Sequence, residues 1–212
     1  MTRFLTLSPG RCLALALPAT IALAAPAMTL AEQQADSARA VFAGGCFWCV
    51  EEAFDPVDGV LSTTSGFSGG HVEDPTYNQV VAGDTGHTEV VEIEYDPSVV
   101  DYETLLEVFW RNIDPFAVDR QFCDVGDTYR SEIFVLDDEQ RSLAESSLDS
   151  MQERFDEDIA TEITEFEAFY PAEDYHQNYY QENSVRYRFY KSACGRVERL
   201  EEIWGDEAGG LS

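Results

Sequence analysis

Apolar and polar positions along the chain change period repeatedly, and each change marks an element. Ala40-Val41-Phe42-Ala43 is an unbroken apolar run that predicts a strand, and residues 46–54 follow it with a helical pattern. Val60 to Thr64 predicts a second strand, ending at the glycine-rich Gly66-Phe67-Ser68-Gly69-Gly70, and Thr76 to Val81 a short helix or turn after Pro75. Thr88 to Tyr95 alternates most clearly. Asp101 caps a helix with Leu105, Leu106, Phe109, Trp110 and Ile113 at helical spacing. Ile133 to Leu136 reads as a strand. A long helix then starts at Asp137 or Asp138, with Leu143, Leu148, Met151 and Phe155 inward. Thr161 to Phe166 reads as a weaker strand and Ala172 to Gln181 as a helix. Val197, Leu200 and Trp204 share one face of a last helix, and Gly205 to Ser212 reads as a frayed tail. Strands and helices mix without a regular βαβ rhythm or nucleotide fingerprint. The expected fold class is α+β, with helices on a mixed, mainly antiparallel sheet.

Two positions break the pattern informatively. In the 88–95 strand, Glu89, Val91, Ile93 and Tyr95 share one face, and Val91 and Ile93 mark it as buried. Glu89 is thus a carboxylate on an apolar face. Burial raises its proton affinity and makes a general acid of it at neutral pH, unless it simply reaches water at the strand end. The second position is Cys46, in Gly45-Cys46-Phe47-Trp48-Cys49, where a strand hands over to a helix. Unpaired N–H groups and the helix dipole favour a thiolate there, and the thiolate is the nucleophile.

The first 31 residues belong to a different regime. Arg3 and Arg11 precede a Leu/Ala-rich stretch that Pro18 interrupts, and small residues offer cleavage sites after Ala27 or Ala31. This is the layout of a secretory signal peptide over 1–31, with one domain over 32–212. The expected location is exported, in a bacterial periplasm. Cleavage removes Cys12 and leaves Cys46, Cys49, Cys123 and Cys194. The remaining chain is long enough for one real core, without repeats or long linkers. The full sequence carries 41 acidic against 13 basic residues, a formal net charge of -28, and Lys191 is its only lysine. Such a surface repels nucleic acid and anionic membranes, and it suits a saline environment.

Taken from the residues alone, Cys46 and Cys49 form a Cys-x-x-Cys pair that suggests a dithiol redox site. A zinc site completed by Cys123, His71 or His87 is the weaker alternative, because a second Cys-x-x-Cys is missing. Cys123 alone reads as a buried small apolar residue. A thioredoxin-like oxidoreductase gives Glu89 and the tyrosines no task, and an acidic calcium-binding protein lacks a loop of suitable oxygen spacing.

Five segments in order carry a more specific likeness. Gly45-Cys46-Phe47-Trp48 with Glu51, Gly66 to Gly70, Asp74 to Tyr77 with Gly83 to Glu89, Asp124 to Ser131, and Phe169 to Gln177 resemble the peptide methionine sulfoxide reductase A family. The resemblance implies a two-layer α+β sandwich and reduction of the S epimer of methionine sulfoxide, free or in proteins. It implies Cys46 as nucleophile, Glu89 as acid, and Phe47 and Trp48 as walls for the substrate methyl group. Tyr77 and Tyr129 hold the sulfoxide oxygen, and Asp124 is a further polar site residue. A sulfenic acid forms at Cys46 and condenses with a second thiol, which an external reductant of thioredoxin type reopens. No metal or organic cofactor is required, and a monomer is expected. Cys49, Cys123 and Thr128 depart from the commonest family pattern. For the resolving thiol, Cys194 on a flexible segment is preferred and Cys49 is the alternative. His71, His87 and His176 are read as structural hydrogen-bonding residues.

Overall fold

The computed structural model describes residues 37–210. Residues 1–31, read above as an export signal, lie outside them, as does Cys12. A six-stranded sheet runs β7-β6-β1-β3-β2-β8, formed by β1 (Ala38–Gly44), β2 (Val60–Ser68), β3 (Thr88–Tyr95), β6 (Ser131–Val135), β7 (Glu162–Glu165) and β8 (Tyr170–Pro171). Every pairing in it is antiparallel except β6 with β7. A separate hairpin joins β4 (Arg120–Gln121) to β5 (Asp124–Val125). The α+β expectation holds. Among the described residues no helix is long and apolar enough to cross a membrane.

The unbroken apolar run of β1 has a reason in this layout. Ala40 and Phe42 face the main core beneath the helices, while Val41 and Ala43 pack with Val90 and Phe134 on the other face. A strand covered on both sides loses its alternation. The main core is closed by α1 (Phe47–Phe54), α3 (Tyr102–Arg111), α4 (Asp138–Arg154) and the C-terminal α7 (Arg196–Trp204). Both predicted caps are present. The Asp101 side chain accepts from the Thr104 N–H and that of Asp137 from the Gln140 N–H, each at 2.8 Å. These satisfy donors that the first turn of each helix leaves free. Leu143, Leu148, Met151 and Phe155 pack half-buried against the core, as their spacing predicts.

Four expectations are corrected. β2 does not end at Thr64 but runs through Gly66 to Ser68, because β8 pairs with it there. A Cβ on Gly66 would lie 2.5 Å from the Phe169 ring and from the Tyr170 carbonyl. The 172–181 helix is broken into a 3-10 turn at Asp174–His176, extended Gln177, and α5 (Tyr179–Glu182). Gln177 uses its side-chain amide as a strand substitute: Oε1 accepts from the Ser65 N–H at 2.9 Å, and Nε2 donates to the Ser65 carbonyl at 2.9 Å. Asn178 then takes a left-handed turn at φ 52°. Val197 is exposed; the inward place near the start of α7 belongs to Arg196, which donates to the Asn112 carbonyl and lies 4.3 Å over the Phe122 ring. The tail is tied down as far as Gly210. Ala208 packs on the core, and the Gly209 N–H donates to the Arg111 carbonyl at 3.0 Å.

Candidate active site

Cys46 sits where β1 turns into α1. Gly45 makes the turn possible with φ +80°; a Cβ there would lie 2.4 Å from the Gln121 side chain. Cys46 is the N-cap residue of α1, and its carbonyl accepts from the Cys49 N–H at 3.0 Å. Both thiols are free and buried, 5% and 4% exposed. They sit in one packed cluster with Tyr179 and Tyr187.

Electrostatics correct one expectation about this pair. The helix start does not by itself lower Cys46. Burial pushes its thiol up, and the Cys49 and Glu89 charges push in the same direction. Cys49 is lowered to about 6, chiefly by the hydrogen bond from Cys46 and against its own burial, with help from Arg196, Tyr187 and Lys191. The pair therefore gives up its first proton readily and holds its second. One negative charge is shared by two sulfurs.

Glu89 confirms the reading from alternation. It is 1% exposed on β3, directly opposite Phe67 of β2. Its Oε2 accepts the Phe47 N–H at 3.0 Å, which links the acid to the residue after Cys46. Burial raises its pKa to about 8, further supported by Asp124 and Cys49 and opposed by the Phe47 N–H. The carboxyl is thus protonated at neutral pH.

The predicted walls and tyrosines converge on the same spot. Phe47 and Trp48 lie 6.2 Å apart between ring centroids. Tyr77, the first residue of α2 (Tyr77–Val81), is 6.3 Å from Phe47 by the same measure, and Tyr129 closes a 3-10 turn before β6. Burial, then the Glu89 and Cys46 charges, raise Tyr77 to about 12; burial holds Tyr129 still higher. Both hydroxyls keep their protons and remain donors. Asp124, on β5, accepts a hydrogen bond from Tyr190, and burial raises its proton affinity.

The remaining cysteines depart from expectation. Cys123 is exposed rather than buried, and it is disulfide-bonded to Cys194, with Cα atoms 4.9 Å apart. Cys194 is not on a flexible segment. It caps α6 (Ser184–Ala193), a helix missed by the sequence pattern because polar residues surround its few apolar ones. Cys194 is thus brought to Cys123 and not to Cys46, whereas Cys49 touches Cys46. This pairing also removes Cys123 from any zinc set. His87 is engaged at both ring nitrogens: Nδ1 accepts the Gly70 N–H at 3.0 Å and Nε2 donates to the Val72 carbonyl at 2.8 Å. Its structural role matches the reading. His71 is exposed, and His176 has no hydrogen-bond partner at either ring nitrogen; it packs instead between Phe47, Trp48 and Tyr77.

Sequence reasoning missed the aromatic cover of the site. Tyr179 stacks on Trp48 at 3.8 Å, and Tyr187 and Tyr190 of α6 pack against the two cysteines. The i, i+3 spacing of Tyr187 and Tyr190 was the available signal, since it sets both on one helix face. Glu51 was also overlooked as a polar anchor. Fully buried and raised to about 7 by burial, it accepts the Asn178 N–H at 3.0 Å and ties α1 to the start of α5.

A buried thiol pair beside a buried, protonated acid, on an α+β scaffold, defines a thiol-based oxidoreductase. The comparisons make this specific. The family model described as peptide methionine sulfoxide reductase matches residues 38–208. Peptide methionine sulfoxide reductase MsrA of Bacillus pumilus is 46% identical over 171 residues, covering 80% of this chain and 96% of that protein. The MsrA of Natronomonas pharaonis is 48% identical over 173 residues, covering 81% and 97%. Among solved structures, methionine sulfoxide reductase A of Corynebacterium diphtheriae superposes with a TM-score of 0.65 at 32% identity, covering 72% of this chain and 78% of that one. Reduced Mxr1 from Saccharomyces cerevisiae gives 0.67 at 29%, covering 70% and 86%. The chain belongs to the peptide methionine sulfoxide reductase family.

Proposed function

We propose that this chain reduces the S epimer of methionine sulfoxide, free or in proteins, with Cys46 as nucleophile and Glu89 as general acid. The observation that carries the reading is the protonated Glu89 carboxyl, buried beside Cys46 and held by the Phe47 N–H. A sulfoxide sulfur resists attack until its oxygen is protonated. Glu89 supplies that proton while the Tyr77 and Tyr129 hydroxyls hold the oxygen. Phe47 and Trp48 take the methyl group. The Cys46 thiolate attacks sulfur, the oxygen passes from the substrate sulfur to Cys46 as its S–O bond breaks, and methionine departs, leaving Cys46 as sulfenic acid.

Cys49 then attacks the sulfenic sulfur, and water leaves as the Cys46–Cys49 disulfide forms. Its contact with Cys46 supports this choice over Cys194, whose sulfur is bonded to Cys123. An external dithiol reductant of thioredoxin type reopens the bond, and no metal or organic cofactor takes part. The protein works as an exported monomer, a location supported by residues 1–31 and by the acidic, saline-suited surface.

The test is a single turnover without reductant, using each epimer in turn. Methionine is expected from the S epimer only, with a Cys46–Cys49 bridge in the spent enzyme. Release from the R epimer alone would overturn the assignment. N-terminal sequencing of the mature protein from a bacterial host checks export; an intact Met1 start in the cytoplasm would overturn it.

A further inference from the structure

Two pairs of residues face each other across the thiols. Tyr187 and Tyr190 stand three apart on α6, and Cys46 and Cys49 stand three apart at the start of α1. Both tyrosines pack against the cluster that holds the two sulfurs. Each hydroxyl also donates to a carboxylate: Tyr187 to Glu52 Oε2 at 2.6 Å, and Tyr190 to Asp124. The carboxylates differ. Glu52 holds the Lys191 ammonium at 2.5 Å. Asp124 has no such ion pair among the described residues, and burial raises its affinity for a proton.

We propose that Tyr190 and Asp124 carry the Cys46 proton away from the sulfur, and that the Cys123–Cys194 disulfide is the clamp that keeps this path assembled. The inference rests on Cys46 being the nucleophile. In the step, the S–H bond of Cys46 breaks and its proton goes to the Tyr190 oxygen. The proton already on that oxygen goes to the Asp124 carboxylate. No electrons are transferred. The products are a Cys46 thiolate that accepts a hydrogen bond from Tyr190, and a neutral Asp124.

The neighbours of Cys46 leave Asp124 as the acceptor. Glu89 is already protonated and gives its proton to the sulfoxide oxygen, so it cannot also act as the base. Tyr77 and Tyr129 hold their protons. Cys49 competes for the charge, favoured by Arg196, Tyr187 and Lys191. Loss of the Cys46 proton through Tyr190 puts charge on the sulfur that reacts. Tyr190 packs against the cluster that holds Cys46 and is a catalytic residue in this scheme.

The disulfide acts through Tyr190 and is a positioning device. Cys123 immediately precedes Asp124 in the β4–β5 hairpin, and Cys194 follows Tyr190 by one helical turn. A covalent bond and the Asp124–Tyr190 hydrogen bond therefore join the same two segments side by side. Cys123 is exposed, so a thiol reductant in solvent reaches this bond.

The experiment uses the full chain and two readouts. One is the rate of methionine release in a single turnover. The other is the ratio of limited iodoacetamide labelling at Cys46 to that at Cys49, with the sites separated by fragment-ion mass spectrometry. Tyr190→Phe is expected to slow release about tenfold, the scale of a hydrogen bond to a charged group, and to shift labelling from Cys46 to Cys49. Asp124→Asn shifts both the same way. The Cys123→Ser/Cys194→Ser double variant shifts both by a smaller factor, and adding Tyr190→Phe to it has less effect than in wild type. An unchanged labelling ratio in Tyr190→Phe overturns the proton path, even if the rate falls through looser packing. A wild-type ratio and rate in the double-serine variant overturn the clamp. Methionine release by Cys46→Ser overturns the nucleophile assignment itself, and so is told apart from both.

Discussion

The two cysteine pairs of this chain are built from opposite circumstances. Cys46 and Cys49 are three residues apart, buried, reduced and in mutual contact at the start of α1. Cys123 and Cys194 are separated by 71 residues, and their bond joins an exposed hairpin residue to the end of α6. The first pair is a local product of sequence, because two thiols one turn apart on a helix meet whatever the rest of the chain does. The second exists only when the fold brings distant segments together. Burial makes the first pair share one charge among packed aromatic rings. Exposure leaves the second pair with constraint as its main contribution.

The comparison breaks most sharply at Cys46. Cys46→Ser should abolish single-turnover methionine release, since a hydroxyl is a far weaker nucleophile at neutral pH. Any substantial release in a stopped assay would mean that the local pair is not the reacting one.

Glu89→Gln comes next. It keeps a hydrogen-bonding group but has no acidic proton to deliver, and the first turnover should slow by about two orders of magnitude or more. The pH profile carries the same information. Release should rise with pH as the thiol pair loses its first proton near 6. It should fall again as Glu89, protonated below about 8, loses its proton above that. A profile flat from pH 6 to 9 would remove Glu89 from the role of acid.

Cys49→Ser separates the pairs. It should leave the first turnover detectable and accumulate Cys46 sulfenic acid, trapped by dimedone, while steady turnover with a protein dithiol drops by an order of magnitude or more. Undiminished steady turnover would return the resolving role to Cys194.

The distal pair should show itself mainly in stability. Removing the Cys123–Cys194 bond should cost about 2–4 kcal/mol, through freedom regained by a long unfolded loop. For a domain of this size that lowers Tm by roughly 5–15 °C. Calorimetry of the double-serine variant finding no change would make the bond incidental. The smallest effect belongs to the surface. With a net charge of -28, self-repulsion is screened by salt, so Tm should rise by a few degrees between low salt and about 1 M sodium chloride.

How much of this was legible beforehand depends on the range of the interaction involved. Alternation in the 88–95 strand located Glu89, because a period of two is a property of the strand itself. Asp101 and Asp137 announced their helices because capping spans three residues. The motif likeness named Cys46, Phe47, Trp48, Tyr77, Asp124 and Tyr129, and the fold gathers all of them. What failed depended on partners far along the chain. The 172–181 helix gave way to Gln177 bonding Ser65, 112 residues away. Cys194 read as free because no local pattern points to Cys123.

The sequence by itself determined the α+β class, the Cys46/Cys49 pair and the buried carboxylate, each encoded within one turn or a few strand residues. The tertiary structure alone decided that the two sulfurs share a charge, where Cys194 bonds, and that Tyr187 and Tyr190 cover the thiols. Those outcomes rest on burial and on contacts between α1, the β4–β5 hairpin and α6. Desolvation and long-range pairing belong to the packed chain, and no window along the sequence contains them.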